Sequence, residues 1–152
     1  MLEKSSQEKI LVFACNWCSY AGADYAGVSR LQYPSNIRII RTMCSGRVDE
    51  KFIFNGFLNG APVVLVSGCH MGDCHYIDAN RWTEKRVKKI RKKMEKLGIR
   101  PERLQLKWIS AAEGSRFAEI MGRMEKLRQT VSIREISETI AILKNQEKMT
   151  QN

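Results

Sequence analysis

No apolar run in the 152 residues approaches the length that crosses a bilayer, and residues 1–9 are polar where a secretory leader would carry an apolar core. These absences predict a soluble, cytosolic protein. The second half contains no cysteine, and the whole chain has 2 histidines. There is no internal repeat and no low-complexity tract, so neither a solenoid nor a separate linker is required.

What remains is an ordinary globular composition, 43% apolar and 28% charged, at a length that suits one domain with a real core. The 5 cysteines are an odd set, which in a reducing compartment points to metal binding or redox work rather than to disulfides. Cys15, Cys18, Cys44, Cys69 and Cys74 all lie in the first half. Charge is divided the other way. Residues 1–75 carry 7 Lys and Arg against 6 Asp and Glu, and the remainder carries 19 against 10.

The densest chemistry is Gly68-Cys69-His70-Met71-Gly72-Asp73-Cys74-His75-Tyr76, which holds both histidines and follows the apolar run Val63-Val64-Leu65-Val66. A buried strand delivering soft ligands has this form. Ile10-Leu11-Val12-Phe13-Ala14 is a similar continuous run, and Ile37-Arg38-Ile39-Ile40-Arg41 is a second strand. Pro62 opens the strand that ends at Ser67, and alternation of Leu104, Leu106 and Trp108 predicts a fourth strand with one exposed face at a sheet edge.

Between these runs the spacing is helical. An alanine- and glycine-rich segment reaches about Leu31, and Val48, Phe52, Ile53 and Phe57 mark a second helix up to Gly60. Over residues 78–97, Trp82, Val87, Ile90, Met94 and Leu97 mark one face of a helix stopped by Gly98. Ser110 with Glu113, and Ser132 with Glu135, are S-x-x-E capping signals for two more, the first carrying Phe117, Ile120, Met121, Met124 and Leu127. Met121 and Met124 sit at core spacing.

Strands alternating with helices predict an α/β fold, a parallel four-stranded sheet of order 2-1-3-4, flavodoxin-like, flanked by helices, with an extra C-terminal helix. The chain then divides into a tail at 1–9, an α/β domain over 10–130, and a C-terminal helix with a frayed polar end beyond Lys144 over 131–152. Cys15, Cys44 and Cys69 each follow a strand, so all three emerge at the carboxyl edge, where such sheets bind ligands. Cys18 and Cys74 lie within a turn of it.

Four converging thiolates hold either zinc or an iron–sulfur cluster. One C-x-x-C, a lone Cys44 and a C-x4-C make poor zinc spacing. An oxidised [2Fe–2S] centre on four cysteines carries a net charge of about −2, which helix N-termini, Arg47, His70 and His75 would offset.

Ala14-Cys15-Asn16-Trp17-Cys18-Ser19-Tyr20-Ala21-Gly22-Ala23-Asp24, Met43-Cys44-Ser45-Gly46-Arg47-Val48-Asp49 and the stretch from Gly68 to Tyr76 together closely resemble the delta, or D, subunit of methyl-viologen-reducing hydrogenases. The resemblance runs from the first strand to the last helix. It implies a [2Fe–2S] carrier in the anaerobic redox metabolism of methanogenic archaea and some anaerobic bacteria. Electrons would come from the small subunit of a nickel–iron hydrogenase, or from a formate dehydrogenase. They would pass to the FAD-bearing A subunit of heterodisulfide reductase, with hydrogen oxidation and electron bifurcation performed by those neighbours.

Five cysteines for four positions leave one over. Either Cys15/Cys18 and Cys69/Cys74 each hold an iron with Cys44 outside, or the three strand-end cysteines are joined by Cys18 or Cys74. The histidines and Arg47 are expected beside the cluster rather than on it, since a Rieske-like centre needs both histidines on one iron. Two other readings stand: a thioredoxin-like dithiol at Cys15/Cys18, and a zinc-stabilised nucleic-acid-binding module. For the second, residues 81–96 carry 9 Lys and Arg against 2 Glu, but a solvated helix face explains such a run without a groove-reading motif.

Overall fold

In β1 (Ile10–Cys15), Ile10, Val12 and Ala14 pack on one side of the sheet while Leu11 and Phe13 pack on the other. Both sides are covered, so the strand reads as a continuous apolar run. The computed structural model describes residues 8–152, and positions 1–7 of the predicted tail lie outside the described residues. β3 (Val64–Gly68) is buried throughout, and it joins β1 between the edge strands β2 (Ile37–Thr42) and β4 (Leu104–Trp108). The sheet is parallel with the order β2-β1-β3-β4, as the sequence predicts.

Parallel neighbours need crossovers. α1 (Ser19–Val28), α2 (Glu50–Leu58) and α3 (Ala79–Leu97) supply them, and α4 (Gly114–Gln129) and α5 (Ile133–Thr150) complete the layers. Two cores result. On one face Ala23 and Ala26 of α1 meet Phe117, Ile120, Met121 and Met124 of α4. On the other, Ile53 and Phe57 of α2, Val87, Ile90 and Met94 of α3 and Leu143 of α5 close over Val64 and Val66.

The local signals operate mostly as expected. Gly98 ends α3 in the left-handed region at φ 81°, and the Ser132 hydroxyl accepts the Glu135 N–H at 3.0 Å. Four details differ. Trp82 is 57% exposed, and Thr83 takes the inward position, because α3 begins beside a polar loop rather than over the core. α1 ends at Val28, where Arg30 turns left-handed at φ 54°. α4 begins at Gly114, since Glu113 turns its carboxylate back to the Ser110 N–H at 2.9 Å while no serine side-chain cap forms. α5 continues past Lys144 to Thr150, because Gln146, Glu147 and Lys148 are polar but good helix formers.

A buried arginine ties α5 to the sheet. Arg103 is fully buried, donates to the Pro62 carbonyl at 2.7 Å and to the Thr139 hydroxyl at 2.5 Å, and faces the Glu135 carboxylate at 3.7 Å. No described helix is long and apolar enough to cross a membrane.

Candidate metal centre

Parallel strands release their carboxyl ends at one edge, and the sulfurs collect there. Cys15 is the last residue of β1, Cys69 directly follows β3, and Cys18 stands at the N-terminal boundary of α1. The three sulfurs lie within 4.8 Å of one another, and all three residues are buried. Cys15 and Cys69 are 4.0 Å apart. Two thiolates on one tetrahedral metal with bonds of about 2.3 Å sit roughly 3.8 Å apart, so the spacing suits a shared metal. This pair bridges two strands rather than the C-x-x-C.

Cys74 packs against this group from the loop before α3. That loop is held by a tight turn in which the Ile77 N–H donates to the Cys74 carbonyl at 3.0 Å, with Ile77 itself left-handed at φ 71°. Cys44 follows β2 at the start of a 3₁₀ turn, Ser45–Arg47, and its sulfur accepts the Gly46 N–H at 3.3 Å. It lies beside Cys74 and is half-buried. The donor set is thus three enclosed thiols, a fourth against them and a fifth at the rim, which fits a four-thiolate metal centre.

Without metal the thiols polarise one another. A hydrogen bond from Cys18 lowers the Cys15 pKa to about 6, and the same bond pushes Cys18 up. Burial raises Cys44 and Cys69. A bound cation would reverse those penalties, since it replaces the missing solvation of each thiolate.

The histidines are not aimed at one point. The His70 Nε2 meets the Glu113 carboxylate, which the Ser110 N–H and then His70 hold down to a pKa of about 2. The His75 ring stacks on Trp17 at 3.9 Å, and Trp17 donates to the Tyr76 hydroxyl at 3.1 Å, so three aromatic rings cover the loop that carries Cys74. His75 approaches the Cys69 sulfur through its backbone N–H. Arg47 is exposed, lies 5.0 Å over the Phe52 ring and faces Asp49 at 3.9 Å.

Several positioning residues carry no signal in the sequence pattern. Asn80, buried at the start of α3, donates to the carbonyls of Cys69 at 3.0 Å and His70 at 2.9 Å. Ser19 lies against Cys18 and within 3.3 Å of the carbonyls of Gly68 and Ile109. Arg86 donates to the carbonyls of Gly46 at 2.6 Å and Val48 at 3.0 Å, while the Ser45 and Thr83 hydroxyls meet at 2.9 Å. Gly68 is required by close approach: a Cβ there would stand 2.7 Å from the Ser45 hydroxyl and 3.0 Å from the Trp108 ring.

Residues 10–131 match the family model described as methyl-viologen-reducing hydrogenase, delta subunit. The chain is 48% identical over 115 residues to a hydrogenase iron-sulfur protein of Archaeoglobus profundus, its D subunit, covering 76% of this chain and 84% of that one. It is 51% identical over 111 residues to the corresponding iron-sulfur D subunit of the vhc hydrogenase of Methanococcus voltae, 73% of this chain and 77% of the relative. It is also 48% identical over 123 residues to the A subunit of the CoB-CoM heterodisulfide reductase of Methanosarcina acetivorans, covering 81% of this chain but 16% of that protein. The same unit thus occurs within a much longer chain. With the thiol geometry, these matches show that the chain belongs to the methyl-viologen-reducing hydrogenase delta subunit family.

Proposed function

We propose that this protein is a one-electron carrier holding a [2Fe–2S] cluster through Cys15, Cys18, Cys69 and Cys74, with Cys44 outside the ligand set. The observation that carries it is the group of three buried sulfurs within 4.8 Å at the carboxyl edge, with Cys74 packed on them. The cluster supplies one-electron redox capacity. The chain's own residues hold it, exclude water through the Trp17–His75–Tyr76 cover, and present N–H groups such as that of His75, which stabilise negative charge on sulfur.

The carrier works in the cytoplasm, between the small subunit of a nickel–iron hydrogenase, or a formate dehydrogenase, and the FAD-bearing A subunit of heterodisulfide reductase. The relative in which this unit lies within a heterodisulfide reductase chain supports that acceptor. Hydrogen with the hydrogenase should bleach the visible bands of the oxidised cluster, and the flavin subunit should restore them. Bands that hydrogenase and formate dehydrogenase both leave unchanged would reject the relay.

A dithiol oxidoreductase at Cys15/Cys18 draws support from the lowered Cys15 pKa of about 6. Cys15 is only 2% exposed, however, and it lies against Cys69. A protein disulfide could not reach it. Metal-free protein separates the two readings, since a dithiol enzyme reduces insulin without iron and a cluster carrier does not.

A further inference from the structure

Beside the thiol group, where the end of β2, the 3₁₀ turn and the start of α3 meet, lies an open groove of about 750 Å³. Every charged residue lining it is an arginine: Arg41, Arg47 and Arg86. Arg41 lies 5.2 Å over the Tyr20 ring and Arg86 is engaged by the Gly46 and Val48 carbonyls, and neither meets a carboxylate among the described residues. Arg47 has only Asp49, at 3.9 Å with both side chains exposed. Such a pair adds little.

Elsewhere basic side chains meet acids closely, as in Lys93–Glu50 at 2.9 Å and Arg128–Glu125 at 2.7 Å. Three large apolar side chains that line the groove are also left in solvent, Met43 at 55%, Tyr76 at 44% and Trp82 at 57% exposed. Arginine, methionine and aromatic side chains are enriched at protein interfaces and lysine is depleted. The outer face of α3, with Lys89, Lys92 and Lys96 exposed, has the opposite character.

We propose that this groove docks an acidic segment of the redox partner protein. Its Asp or Glu carboxylates meet Arg41, Arg47 and Arg86, and an apolar side chain packs on Met43 and Trp82. The proposal rests on the carrier reading and adds the place and chemistry of contact. Cys44 lines the groove and neighbours Cys74, so an occupant lies one cysteine away from the thiol group, and the electron path stays short.

A single-stranded nucleic acid would also meet the arginines, but it needs open aromatic faces for base stacking. Lys85 lies 4.7 Å over the Trp82 ring. Tyr76 is held edge-on to His75 and accepts from Trp17. The cover is built for packing against protein.

The test is equilibrium binding of the cluster-bearing chain to the hydrogenase small subunit and to the heterodisulfide reductase flavin subunit of the same organism. Arg41→Glu with Arg47→Glu should weaken binding to one of them about tenfold or more. Wild-type affinity should fall as salt rises. Visible cluster absorbance and thermal midpoint, read on the same samples, should match wild type. Lys92→Glu with Lys96→Glu, on the outer face of α3, should change affinity by less than about twofold. Groove variants that bind like wild type, lysine variants that weaken binding equally, or displacement of the partner by single-stranded RNA would each overturn the groove and leave the relay intact. Wild-type protein that binds neither partner would overturn both.

Discussion

The two halves of the chain do different work at one site. Residues 10–75 bring every cysteine, on the ends and following turns of three strands, and are nearly neutral. The second half brings no cysteine and most of the charge, yet Asn80 and Arg86 donate to backbone carbonyls beside Cys69 and Cys44, and Thr83 and Glu113 meet the side chains of Ser45 and His70 next to the same cysteines. A metal centre on an open sheet therefore has two separable parts: donors, which decide whether metal binds, and clamps, which decide how firmly the donors are held.

Removing a donor is the harshest way to break that division. Cys69→Ser should abolish the visible bands and acid-labile sulfide, whereas Cys44→Ser should retain nearly all of both. Equal loss from the two variants, measured by iron and sulfide content per chain, would put Cys44 among the ligands.

Removing the buried tie between sheet and α5 should cost stability rather than metal. Arg103→Ala leaves the Pro62 and Ala61 carbonyls and the Thr139 hydroxyl without their donor, each worth about 1–3 kcal/mol, while Glu135 keeps Arg100 at 3.2 Å. A lowered urea midpoint with unchanged iron per folded chain is the expected result.

A clamp variant should fall between a ligand variant and a silent one. Asn80→Ala removes two hydrogen bonds from the Cys69 and His70 carbonyls, worth about 1–3 kcal/mol. Cluster content should persist while its half-life under a chelator shortens several-fold. A half-life equal to wild type would show that Asn80 does not hold the loop.

The smallest effect concerns the metal-free chain. Cys15 has its folded pKa lowered to about 6, below an ordinary thiol near 8.5. The stability it adds is full above the unfolded value and is lost as pH falls through about 6. Ultraviolet thiolate absorbance should show one thiol titrating near pH 6, absent in Cys15→Ser and shifted upward in Cys18→Ala, which lacks the donor.

The same division explains which features are legible in the sequence. Continuous apolar runs at Ile10 and Val63 announce buried parallel strands, and cysteines at strand ends announce the edge where a ligand would lie, because both are direct consequences of period and topology. Trp82 and the Ser110 cap mislead because burial of a helix's first turn depends on the loop it faces, which local spacing does not record. Asn80, Ser19 and Arg86 are invisible for a related reason. Their function is a hydrogen bond to a distant carbonyl, and polar residues of these types are ordinary on any surface.

The identity of the bound group decides the protein's role, because four cysteines at a sheet edge can hold either zinc or a [2Fe–2S] cluster. Metal and acid-labile sulfide analysis of anaerobically purified protein tests it directly. A [2Fe–2S] carrier gives about two iron and two sulfide per chain, with a paramagnetic signal on one-electron reduction. Stoichiometric zinc with neither iron nor sulfide would contradict it.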